Sequence, residues 1–137
     1  MKDALQTTEY GKVVACDLPI DEAVERVKAL LKDEGFGVLC EIDVQKALAE
    51  KLGKDFRPYR ILGACNPVLA HEALSTDAQL GLLLPCNVVV QEESGHAIVS
   101  AIDATALLSV ANNPALQPIA YDVNKRLGRV LDRISAT

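Results

Sequence analysis

Two residue periods, one helical and one extended, alternate along this chain and constrain its fold more than any other feature. Ile20, Ala23, Val24, Val27, Leu30 and Leu31 recur at the spacing that places them on one stripe of a helix. Asp21 and Glu22 fall in its first turn, where the helix dipole favours negative charge, and Gly35 follows as a stop signal. The pattern then switches: from Gly37 to Asp43, Val38, Cys40 and Ile42 alternate against Leu39, Glu41 and Asp43, as in a strand. With a short strand expected at Val13 to Cys16, the chain opens as strand, helix, strand.

The alternation continues. Asp43 can cap a shorter helix through Leu52, with Val44, Ala47, Leu48 and Leu52 as its inner face and Gly53 as its end. Pro58 opens a strand that points Tyr59, Ile61, Gly63 and Cys65 one way and Arg60, Leu62 and Ala64 the other. Asn66-Pro67 starts a helix to about Ser75, because Asn supplies the capping oxygen and the missing N–H of Pro costs nothing in a first turn. Next comes an apolar run, Leu82 to Val90, interrupted by Pro85-Cys86-Asn87. Proline cannot donate to a ladder, so an edge strand, a bulge or two short strands are expected there. Glu92 to Gly95 reads as a hairpin turn, and Ile98 and Ile102 then face away from Ala97, Val99 and Ala101. Residues 103–118 show no clear period. Ile119, Val123, Leu127, Val130, Leu131 and Ile134 define a last amphipathic helix, within which Gly128 suggests close packing of its turn. At 137 residues this is one α+β domain spanning 1–137, with a β-α-β start, a mostly antiparallel sheet and a closing C-terminal helix.

Charge and composition narrow the function classes. Half the residues are hydrophobic, which excludes a disordered chain. The net charge is −5 and aromatic rings are few, so no nucleic-acid partner is expected. The basic cluster Lys125, Arg126, Arg129 and Arg133 lies on the last helix, where positive charge complements the dipole near the C-terminal end. Met1 to Tyr10 is polar and the longest apolar stretch, Leu80 to Cys86, is too short to span a bilayer, so the expectation is a cytoplasmic protein without a membrane partner. The four cysteines, at 16, 40, 65 and 86, match neither a redox CxxC pair nor zinc-finger hooks and should be reduced in that compartment.

Three stretches read together resemble a known family: Gly35-Phe36-Gly37-Val38, Ile61-Leu62-Gly63-Ala64-Cys65-Asn66-Pro67, and Gly81-Leu82-Leu83-Leu84-Pro85-Cys86-Asn87-Val88-Val89-Val90. They are similar to the family known as domain of unknown function 302, from about Thr8 to Ile134. The resemblance implies a cytoplasmic homodimer whose fold is similar in layout to one half of the TATA-binding protein, and it implies no activity or cofactor. One departure is Ala104, where the resemblance implies Asp-Pro.

The residues themselves point to one candidate site. Cys65 and Cys86 are each followed by Asn, at 66 and 87, and in a meander both pairs could reach the same end of the sheet. Cys65 directly precedes a helix N-terminus, a position that attracts anions and favours a thiolate, and His71 lies on that helix. Cys65, Asn66, His71, Cys86 and Asn87 are therefore the expected ligand-binding residues, for a small molecule or a soft metal. Two alternatives stand beside this: a thiol-dependent enzyme using Cys65 or Cys86 with His71, and a purely structural homodimer, which the apolar run at Leu82 to Val90 also suggests. Whether the protein is an enzyme stays open, and no catalytic residue, cofactor or particular metal is assigned. Cys16 and Cys40, inside strands, read as core. Glu41 and Asp43 share a strand face but lack a partner that would tune them, and Arg57, Tyr59 and Arg60 could hold an anion or simply face solvent. No GxSxG, GxGxxG or Walker loop is present.

Overall fold

A computed structural model describes residues 4, 5 and 8–137, so part of the polar opening stretch lies outside the described residues. Strand β1 (Gly11–Cys16) leads into α1 (Ile20–Asp33), which is followed by β2 (Gly37–Asp43). Helix α2 (Val44–Leu52) joins β2 to β3 (Tyr59–Cys65), and α3 (Pro67–Thr76) follows. A 3₁₀ turn, Ala78–Leu82, precedes the hairpin of β4 (Cys86–Glu93) and β5 (His96–Ile102). The short helix α4 (Ala104–Leu108) and two further 3₁₀ turns lead to α5 (Gln117–Ser135).

The strands form one antiparallel sheet in the order β1-β5-β4-β3-β2. Helix α1 therefore carries the chain from one edge of the sheet to the other. Five strands span about 19 Å between the outer two, and a 14-residue helix is about 21 Å long, so its length suits that crossing. All six stripe residues of α1 are buried, as are Ile119, Val123, Leu127, Val130, Leu131 and Ile134 of α5. They pack on Leu62, Ala64, Val88, Val90, Val99 and Ala101, which point to one face of the sheet. The other face carries Val13, Ile61 and Val89, half-buried, and Ile98, which is 2% exposed yet lies outside that core.

Several expectations are corrected. The apolar run is no unpaired edge: Leu82 ends the 3₁₀ turn, Leu83 to Pro85 link it to the sheet, and β4 begins at Cys86 between β3 and β5. Pro85 stands just before the strand, where its missing N–H breaks no ladder bond. A bulge between Val38 and Cys40 breaks the alternation in the edge strand β2, so Val38 pairs with Ala64 while Cys40 pairs with Gly63, and Cys40 is exposed rather than core. No residue of α2 is buried and Leu52 is 65% exposed, because this helix packs mainly against β3. Gly128 has open space where a Cβ would stand, so close packing does not account for it.

The basic cluster has a structural task. Arg126 Nη1 donates to the Glu34 carbonyl at 2.8 Å, Arg129 pairs with the Glu34 carboxylate at 2.7 Å, and Arg133 reaches Asp33 at 3.2 Å. These contacts tie α5 to the C-terminal end of α1. The hydrogen bond from Arg129 holds the Glu34 carboxyl below its ordinary range.

A candidate apolar cavity at the Cys65 end of the sheet

The cavity lies where β3 ends and β4 begins. Phe36 and the bulged Leu39 form one wall, Ala64 and Cys65 the floor, and Asn66, Leu69, Ala70, Ala73 and Leu74 the side contributed by α3. Leu84, Pro85 and Cys86 bring in the segment before β4, while Leu108, Ile119 and Val123 close it from α4 and α5. Its volume is about 260 Å³. Among these lining residues, Cys65, Asn66 and Cys86 alone carry a side-chain heteroatom.

Local sequence explains how the three come together. Ala64 pairs with Cys86 across β3 and β4, so Cys65 emerges beside that pair as the strand ends. Asn66, 8% exposed, then turns the chain into α3: its Oδ1 accepts from the Leu69 N–H at 3.2 Å, and Pro67 follows in the first turn. The expected residues separate here. Cys65, Asn66 and Cys86 line one cavity; His71 is on the exposed side of α3 and outside it. Asn87, exposed, belongs to a second cavity on the other face of the sheet with Tyr59, Val89 and Ser100, because successive strand residues point opposite ways.

The family model described as domain of unknown function DUF302 matches residues 12–134. The chain belongs to the DUF302 family. It is also similar to the crystal structure of an uncharacterized conserved DUF302 protein from Bacillus stearothermophilus, at 39% identity and a TM-score of 0.86, covering 93% of this chain and 99% of that one. No curated protein matches it.

In this DUF302 protein the two cavity thiols differ. Cys86 is 8% exposed, and burial, with the neighbouring Cys65 adding to it, pushes its thiol up to about 11. It is a neutral S–H at physiological pH. Cys65 is half-buried and more open. Among the described residues no cluster of three or more His, Cys, Asp or Glu could hold a metal ion.

Two glycines of the family-like stretches shape the surroundings. Gly35 adopts φ +86°, and a Cβ there would come within 2.9 Å of Asn66 Nδ2, so the turn before Phe36 packs directly on the capping side chain. At Gly63 a Cβ would meet Cys40 Sγ at 2.6 Å and the Pro85 ring at 2.9 Å. The Pro85 ring and the Cys40 thiol thus leave no room for a side chain there, which accounts for a glycine inside a strand.

The charged alternatives are engaged elsewhere. Arg60 reaches Asp21 at 2.8 Å, Glu41 at 3.1 Å and Asp43 at 3.7 Å, and Lys28 meets Glu41 at 2.6 Å. The Lys28 hydrogen bond holds the Glu41 carboxyl below its ordinary range, and both Glu41 and Asp43 lie against Arg60. Arg57 pairs with Glu93 at 3.4 Å and Gln91 at 3.2 Å. Sequence reasoning missed the apolar wall from Leu108, Ile119 and Val123, since its elements meet the Cys65 region only through tertiary packing.

Proposed function

We propose that this chain is a binding protein for a small, uncharged, apolar molecule held in the cavity beside Cys65 and Cys86. The observation that carries this reading is the lining: a cleft of about 260 Å³ walled almost wholly by carbon and open on one side, with Asn66 and two thiols as its polar points. A dry apolar cavity of about 150 Å³ already takes benzene, so a substituted ring or short alkyl group is the fitting class. Two thiols and an amide favour such a ligand over a soft metal, which wants a further donor. The thiol-enzyme alternative needs a base beside the cysteine, and His71 lies outside the lining. Titration with toluene or indole, followed by two-dimensional amide NMR, should move resonances of α3 and β4, while glycerol should not. In Ala70→Phe, which fills the cavity, toluene should move nothing. Unmoved wild-type spectra at millimolar toluene would refute the reading.

We further infer a homodimer, in the cytoplasm. The exposed Leu52 and half-buried Val44, Ala47 and Leu48 of α2, with the half-buried Val13, Ile61 and Val89, support a second copy as the cover, and four free thiols support a reducing compartment. Among the described residues no helix is long and apolar enough to cross a membrane. Light scattering should give twice 14.7 kDa at micromolar concentration, and a mass of one chain would refute the dimer. A dimer without toluene binding would leave the purely structural alternative.

A further inference from the structure

We propose that Cys65 is a covalent capture site for small apolar electrophiles of the α,β-unsaturated carbonyl class, which reach it through the cavity. The proposal rests on the binding reading above and adds a chemical step to it. The four thiols sort themselves by position. Cys16 is buried in the core, and Cys86, although in the cavity, is buried and stays protonated. Cys40 is exposed but lies outside the lining. Cys65 alone among them combines partial exposure with a place in the apolar wall. Its backbone pairs with Gly37 in the sheet and runs straight into the Asn66 cap, so the Cα that carries the thiol has a fixed place at the cavity.

The step balances without an oxidant or reductant. The Cys65 S–H bond breaks and its proton passes to water, while Sγ forms a bond to the β-carbon of the electrophile. The C=C π pair moves onto the carbonyl as an enolate, and the α-carbon takes a proton from water, so the adduct has the summed mass of protein and electrophile. Selectivity comes from the walls: Leu69, Ala73, Leu84, Ile119 and Val123 reward apolar substituents by about fourfold for each methylene buried.

N-Alkylmaleimides carry the same conjugated carbonyl and serve as probes. Labelling of the intact wild-type protein with N-ethylmaleimide and N-hexylmaleimide, read by peptide mass spectrometry, gives a rate for each cysteine. At Cys65 the hexyl reagent should react at least tenfold faster than the ethyl reagent, while at exposed Cys40 the two rates should agree within about twofold. Saturating toluene should remove the preference at Cys65 and leave Cys40 unchanged. Equal chain-length ratios at Cys65 and Cys40 would overturn the proposal. If toluene still shifts the amide spectrum in that case, the non-covalent reading survives alone; if it does not, both fall.

Discussion

Cysteine and glycine carry much of this structure at single positions, and each makes a measurable demand. Gly63 faces Cys40 Sγ and the Pro85 ring at distances that no Cβ tolerates. Gly63→Ala should lower stability by about 1–3 kcal/mol, the usual range for overpacking, read as a drop in the urea midpoint at constant slope. Adding Cys40→Ala should recover part of the loss, because a thiol end is one of the two obstacles and the proline ring remains. Cys86 makes a pH-dependent demand. In the unfolded chain its thiol ionises near its ordinary 9.0, and in the folded protein near 11, so between these values the folded state keeps a proton that the unfolded state has lost. Stability from this group is complete below about pH 9 and falls as pH rises toward 11, by up to about 1.4 kcal/mol per pH unit. Urea titrations at pH 8 and 10.5 should show a smaller fall for Cys86→Ala than for wild type; equal falls would remove Cys86 as the cause.

Helix ends and helix interiors show where local rules hold and where neighbours intervene. In α5, Gly128 has no atom within reach of a Cβ, so Gly128→Ala should raise stability by about 1 kcal/mol through backbone entropy and helix propensity. No gain in thermal midpoint would point to a neighbour that the structure does not show. At α4, Asp103 accepts from the Ala106 N–H at 3.0 Å, and Asn124 of α5 accepts from the Ala104 N–H at 2.7 Å. This is the position where the family resemblance implied Asp-Pro. Asp103 has φ −81° and ψ 110°, a conformation suited to the residue before proline, and Ala104 is the first helical residue, where proline is tolerated. Asn124 also donates to Asp103 Oδ1 and Thr105 Oγ1, at 3.1 Å each, so Asn124→Ala should cost about 1–2 kcal/mol in wild type and less in an Ala104→Pro background, which has no N–H to leave but still loses those two contacts. Additive losses in that double-mutant cycle would sink the explanation.

At the scale of the whole molecule, local chemistry and chain topology were unequally legible. The stripe from Ile20 to Leu31, the caps at Asp43 and Asn66, the hairpin and the convergence of Cys65 with Cys86 follow from spacing and capping, so the sequence displays them. The bulge that exposes Cys40, the incomplete cover over α2 and the direction of His71 depend on which elements become neighbours, and no residue pattern encodes that. The strand order has a further consequence, for the order of events during folding. β4 and β5 are joined by a tight turn, and β2 and β3 through the single helix α2, so both pairs can form early, whereas β1 finds its partner β5 only across more than half the chain. On the ribosome β1 emerges first yet must wait for one of the last strands to be made. In pulsed hydrogen exchange during refolding, the amides of Lys12 to Ala15 should gain protection after those of Val88 to Val90. Until then the free edge of β5 is the place where another chain could insert a strand, so dilute conditions should favour refolding more than the stability of the finished sheet would suggest.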